Sequence, residues 1–221
     1  MSLDPVSAAR LLDACAAGIV LLGILIAGTR SIGRAIWLVA AQSVLLAGAA
    51  LTVGLATGAG HLVIGAALTL ATKAIVVPLI LGRILRTSPV RTERHPYVGP
   101  RASLVIAIAI VFGATAAVDG STLGGSLDAP SALPAAVAEV MTGLLIAMTR
   151  RKGLSIVVGL LVFENGLALT AFSLTSGMPL VIELGIAFDL LIAIVVVWVY
   201  ARRMLTIIGS TSSDQLRNLR G

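Results

Sequence analysis

Five ionisable residues lie in stretches that are otherwise apolar: Lys73, Glu139, Glu164, Glu183 and Asp189. A charge at the centre of a bilayer costs roughly 2.5 to 3.5 kcal/mol on insertion scales, so such residues face a bundle interior, a partner charge or an ion pathway. A poorly hydrated carboxyl beside a lysine changes protonation when the site moves or water enters, and the chemistry this set suits is proton transfer. Asn165 beside Glu164, with Thr170, Ser173 and Thr175 further along, offers hydrogen bonds to water or to partners. A structural role stands beside the chemical one. Buried ion pairs also fix packing or register, and Glu139 and Glu183 lie near predicted helix ends, where they can reach water.

The elements that carry these residues are membrane helices. The 221-residue chain is 58% hydrophobic and only 12% charged, with a mean hydropathy of +1.06, which excludes an ordinary soluble globule. Apolar runs near 11–28, 35–56, 62–82, 102–118, 133–149, 154–175 and 179–201 each approach the roughly 20 residues needed to cross a bilayer as a helix. Short alternating strands of the kind that build a barrel are missing from the pattern. The expected fold is an all-α integral membrane protein with seven transmembrane helices.

Orientation follows from the basic residues, which are enriched in cytoplasmic loops. Of the 16 Lys and Arg residues, all but Arg10 and Lys73 follow the first, third, fifth or seventh span: Arg30 and Arg34, then the group from Arg83 to Arg101, then Arg150, Arg151 and Lys152, then Arg202, Arg203, Arg217 and Arg220. The loops around Gly58, Gly120 and Gly177 carry none. This alternation predicts the N-terminus outside and the C-terminus in the cytoplasm. Trp37, Tyr97, Trp198 and Tyr200 fall near the predicted cytoplasmic ends, as interfacial aromatics do.

At 1.5 Å per residue from the predicted external ends, Glu164 and Asp189 lie roughly 16 to 18 Å deep and Lys73 roughly 20 Å, near one midplane. Glu139 and Glu183 lie only about 8 Å in and form an expected outer step.

Other chemistries are excluded or weakly supported. The net charge of +6 is explained by topology, and no basic soluble domain is present to bind nucleic acid. Cys15 is the single cysteine, which rules out an internal disulfide, a Cys-ligated iron–sulfur cluster or a structural zinc site within this chain. His61 and His95 fall in loops predicted on opposite sides of the membrane. No Walker loop, Rossmann fingerprint or nucleophile elbow is present. Asp4 and Asp13 flank Arg10, which argues for a retained first helix over a signal peptide. Small-residue spacings such as Gly54 to Gly58 suit close helix packing.

The residues also carry a family resemblance. Over 133 to 221, a basic pair, Arg150-Arg151, opens one acidic helix, Arg202-Arg203 closes a second, and a short tail ends Leu216-Arg-Asn-Leu-Arg-Gly221. This three-helix segment with its cytoplasmic tail resembles the small subunit K of respiratory complex I and its relative, the short three-helix component of Mrp-type antiporters. Counting back from Arg202 matches the second glutamate of that family to Asp189, one methylene shorter. The family spacing from the Arg pair reaches Leu161, one turn before Glu164. Residues 1–101, a three-helix segment with its basic loop, and 102–132, a fourth helix and external loop, precede this part. With Lys73-Ala-Ile-Val-Val-Pro78, Gly159-Leu-Leu-Val-Phe-Glu-Asn-Gly166, Ile182-Glu-Leu-Gly185 and Phe188-Asp-Leu-Leu191, the whole chain resembles component E of hydrogenase-4-type complexes, relatives of complex I.

The resemblance implies a non-catalytic membrane-arm subunit of an oxidoreductase complex in the bacterial or archaeal cell membrane. Glu164 and Asp189 would be proton-relay groups, Lys73 a charge partner or switch, and Glu183 with Glu139 a route outward. It implies no cofactor in this chain, with iron–sulfur clusters and a NiFe centre in partner subunits. The implied partners are large antiporter-like subunits, a quinone-type membrane anchor and a peripheral hydrogenase- or dehydrogenase-like module. Membership of an Mrp-type cation/proton antiporter and a non-conducting scaffold of the membrane arm remain as alternatives.

Overall fold

A computed structural model of the chain describes residues 4–87, 92–93, 96–118 and 128–174. Six helices in this part are long and apolar enough to cross a membrane, and no strand accompanies them among the described residues beyond an isolated bridge from Ser31 to Thr92. The described part is all-helical, and the protein is a multi-pass membrane protein. The expected span at 179–201, with Glu183, Asp189, Trp198 and Tyr200, lies outside the described residues.

The first helix, α1 (Pro5–Gly28), begins six residues before the apolar run expected from position 11. Asp4 accepts a hydrogen bond from the Ser7 amide at 3.4 Å, and Pro5 fills the first turn, where its missing N–H costs nothing. Helix α2 (Ile32–Thr57) is capped by Ser31 and stops at Gly58, whose φ of 71° is a left-handed conformation that glycine adopts without strain.

The third span has three parts: α3 (Gly60–Thr69), a π-helical segment over Leu70–Val76, and α4 (Val77–Thr87). The expectation of an ordinary helix over 62–82 misses the π turn. Pro78 explains it, because proline has no amide to give to Ala74 and its ring crowds that carbonyl. Widening the preceding turn relieves the conflict, and the Val77 amide reaches back to Thr72. Lys73 is the buried residue of this segment.

Helices α5 (Pro100–Val118), α6 (Ala132–Thr149) and α7 (Gly153–Leu174) make up the rest of the described bundle. The α6–α7 hairpin packs most intimately, because glycines let its backbones meet. A Cβ on Gly159 would stand 2.5 Å from the Ala147 amide nitrogen, and one on Gly166 would stand 2.5 Å from that of Val140. The α1–α2 hairpin packs against this one, α1 on α6 and α2 on α7, while α5 lies on α1 and α6.

The buried apolar residues form two clusters. One, near the helix ends that carry most of the arginines, gathers Ile26, Ile36, Val39, Ile146, Val158 and Leu161 among others. The second, near the opposite end, gathers Leu12, Ile19, Leu46, Val53, Leu62 and Leu169 among others. Between the two clusters lies a polar layer.

Candidate functional site

Helices α2, α6 and α7 and the π-helical segment each contribute one or two polar side chains to that layer, and α1 contributes a backbone carbonyl. In the π-helical segment Lys73 Nζ stands 2.5 Å from Glu164 Oε1 of α7, with Lys73 6% and Glu164 2% exposed. One step along α7, Asn165 Nδ2 donates to Gln42 Oε1 of α2 at 3.0 Å. Gln42 Nε2 donates to the Ile19 carbonyl of α1 at 3.0 Å and to Glu139 Oε1 of α6. Gln42, Asn165 and Glu139 are fully buried. Every hydrogen-bonding group of the Gln42 amide is in use, consistent with the rule that buried amides are satisfied.

Glu139 is therefore not a separate outer step. Counted from the basic ends of their helices, Gln42, Glu139 and Glu164 all lie roughly 15 to 17 Å in, at 1.5 Å per residue. The expected shallow position comes from measuring α6 from its other end, and α6 has only 18 residues. Its carboxyl sits where α1 has no side chain: a Cβ on Gly23 would stand 2.5 Å from Glu139 Oε2. That oxygen has no hydrogen-bond partner among the described residues.

The layer connects residues across the bundle, with apolar side chains packed on both sides of it along the helix axes. Its geometry brings six polar groups from the first, second, third, fifth and sixth spans to one level: the Ile19 carbonyl and the side chains of Gln42, Lys73, Glu139, Glu164 and Asn165. Of the residues the sequence singles out, the structure brings Lys73, Glu164, Asn165 and Glu139 together. Glu183 and Asp189 lie outside the described residues. Thr170 and Ser173 bond back to backbone carbonyls of their own helix, Gly166 and Leu169. Gln42 is the member that a scan for charges passes over, and its signal is a lone amide in the middle of an apolar span.

A second polar knot lies at the basic end. Glu93, 2% exposed, accepts from Ser155 Oγ at 2.7 Å and from the Arg151 amide at 3.0 Å, while its own amide donates to the Arg30 carbonyl at 2.9 Å. Arg150, buried just beyond α6, donates to the Ala27 carbonyl at 2.6 Å. Burial pulls its guanidinium below the ordinary value, and the charge of Glu93 opposes that shift. Arg151 stacks over Tyr97 at 4.2 Å, and the Tyr97 amide donates to the Thr149 carbonyl. The loop is thereby tied to two helix turns. Glu93 is the acid of the basic run Arg91-Thr-Glu-Arg94, and that isolation within a positive loop is its signal in the sequence.

Among the described residues no group of three or more His, Cys, Asp and Glu side chains is placed to hold a metal ion.

No protein-family model matches the sequence, and no solved structure matches it. The chain is 34% identical over 214 residues to the uncharacterized protein Rv0085 of Mycobacterium tuberculosis, covering 95% of this chain and 96% of that one. It is 29% identical over 182 residues to hydrogenase-4 component E of Escherichia coli K12, covering 82% and 84%. The component of that name from Shigella flexneri is similar to the same extent.

Proposed function

The chain belongs to one family with protein Rv0085 of Mycobacterium tuberculosis, and from this membership, its more distant homology to hydrogenase-4 component E and its buried polar layer we propose that it is a proton-handling membrane subunit of a hydrogenase-like complex. The observation that carries the reading is the Lys73–Glu164 ion pair, held in mid-bundle and continued by Asn165, Gln42 and Glu139. Burying an ion pair is costly. A membrane protein that needed packing alone would meet that need with the small residues that already close the α6–α7 hairpin.

In this reading Glu164 and Asp189 exchange protons, Lys73 sets the charge opposite Glu164, and Glu139 and Glu183 hand protons on. The apolar clusters on either side favour transfer across the layer to neighbouring subunits over a straight route through this bundle. The redox centres, iron–sulfur clusters and a NiFe site, belong to partner subunits, as do the antiporter-like and quinone-type anchor functions. The basic ends face the cytoplasm.

Two experiments test the proposal. Gentle purification of the tagged chain from its native membrane, followed by mass spectrometry, should recover a hydrogenase- or dehydrogenase-like module together with large membrane subunits. Recovery alone, or with antiporter subunits only, would sink it. Glu164→Gln within the intact complex should lower proton coupling per electron transferred. A scaffold would lose assembly or nothing.

A further inference from the structure

The basic end of the bundle holds its arginines in two ways. Arg150 and Arg151 are engaged inside the protein, on the Ala27 carbonyl and the Tyr97 ring. Arg30, Arg34 and Arg101 are exposed, and among the described residues no hydrogen bond or ion pair engages their guanidinium groups. All three line one cavity. It measures about 740 Å³ and lies where the turn between α1 and α2 meets the start of α5, with Gly28, Thr29 and Leu104 also in its wall. That volume is within the roughly 300 to 1,000 Å³ of ordinary small-ligand sites.

No carboxylate lines this cavity. Asp4, Asp13 and Asp128 belong to the other end of the bundle. Glu93 turns its carboxylate to Ser155 and the Arg151 amide. The backbone that carries the arginines is held in place. The Arg30 carbonyl accepts from the Glu93 amide at 2.9 Å, Ser31 pairs with Thr92, and Ser103 in the first turn of α5 is buried. That first turn also presents amides that have no helical acceptor, at the positive end of the helix dipole. Guanidinium forks match the paired oxygens of a phosphodiester, so the charge complement of the cavity is a phosphate anion.

Below the arginines the surface turns apolar. A Cβ on Gly28 would stand 2.6 Å from Leu104 Cδ1, so α1 and α5 touch directly under the cavity. Leu21 and Leu25 precede Gly28 by seven and three residues and share its face of α1, and Ile108 and Phe112 follow Leu104 at intervals of four on α5. All four are exposed. Cationic at the helix ends and apolar along the seam beneath, this strip mirrors an amphiphile with an anionic head. Basic pockets between membrane helices bind anionic headgroups by this means.

We propose that the cavity holds the headgroup of one anionic diacyl phospholipid, with its phosphodiester on Arg30, Arg34 and Arg101 and its acyl chains along the seam between α1 and α5. This site goes beyond the proton-handling reading and does not depend on it.

The test is photolabelling of the intact complex in its native membrane with phosphatidylglycerol that carries a diazirine on an acyl chain, followed by peptide mapping of this chain. Label should fall on 21–25 of α1 and 104–112 of α5. Unlabelled phosphatidylglycerol should displace it, and phosphatidylcholine at the same level should not. An arginine beside an anionic headgroup is worth about a fivefold preference, so Arg30→Gln/Arg34→Gln/Arg101→Gln should lower the label by about tenfold or more. Arg83→Gln/Arg86→Gln removes two arginines that line a different cavity, between α2 and α4, and should leave the label at this seam unchanged.

Four results would each overturn the proposal. An unlabelled seam in the intact complex would mean that a neighbouring subunit covers it. Equal displacement by phosphatidylcholine would leave only an ordinary apolar surface. Displacement by inorganic phosphate, with chloride at equal ionic strength inactive, would mean that the pocket is filled from solution. An equal loss in Arg83→Gln/Arg86→Gln would mean diffuse attraction to the basic end. Should the triple variant fail to assemble, the competition between the two lipids decides alone.

Discussion

Glu139 and Glu164 are the same residue type, at one level, on the two arms of a single hairpin, and the protein holds them by different means. Glu164 faces an ammonium group supplied by a π turn. Glu139 faces an amide whose orientation is set by a backbone carbonyl. An ion pair depends on both charges being present, whereas the amide contact survives a change of charge. The comparison divides the layer into a charge-compensated half around Lys73 and an amide-held half around Gln42.

The largest effect should come from breaking the compensated half. Removing one member of a buried ion pair costs about 3 to 5 kcal/mol, because the other charge stays buried. Lys73→Met and Glu164→Leu are each expected to lower the yield and thermal stability of the detergent-extracted protein by that order. The double variant Lys73→Met/Glu164→Leu is expected to recover most of the loss, as apolar replacement of whole pairs often does. A double variant no better than the worse single one would show that the two residues are not coupled, and the layer would then have no charge-compensated half.

The knot at the basic end supplies an external reference, since it too contains a buried acid and base. Arg150 donates to a backbone carbonyl, and Glu93 is held by a hydroxyl and an amide. Hydrogen bonds to charged groups contribute about 1.5 to 3 kcal/mol each. Arg150→Met should therefore destabilise by about that amount, less than either single change at Lys73 or Glu164. Because the knot lies roughly 15 Å along the helices from the polar layer, its effect should add to that of Glu139→Gln. Thermal unfolding of the single and double variants measures both the size and the additivity.

Much of this arrangement can be read from residue order. Ten of the twelve ends of the six described spans follow from apolar run length to within three residues, because the bilayer sets the length of a helix. Counting along the helices also puts Lys73 and Glu164 at one depth, and the structure has them in contact. Hydropathy carries less about what happens at helix ends and in turns. Asp4 and Pro5 start α1 inside a stretch that still carries Arg10 and Asp13, and Pro78 widens a turn that lies before it in sequence. Residues without charge are equally hard to place, because Gln42 becomes informative only once its three partners from α1, α6 and α7 converge on it. Glu139 is misplaced by depth because a short helix offers a poor ruler from one end.

The smallest expected effect on stability belongs to Glu139→Gln, and that makes it the most useful variant. The substituted amide keeps an oxygen to accept from Gln42, and nothing among the described residues donates to or accepts from the other position. One unmatched buried NH2 beside Gly23 costs no more than about 1 to 3 kcal/mol, and a bound water would reduce that. Assembly should therefore be retained while the only titrating group of α6 is lost. If proton coupling falls in this variant and assembly holds, the amide-held half of the layer takes part in transfer and is not packing. If assembly falls as far as it does in Glu164→Leu, the two carboxyl groups are held alike, and the contrast between an ion pair and an amide has no energetic meaning in this bundle.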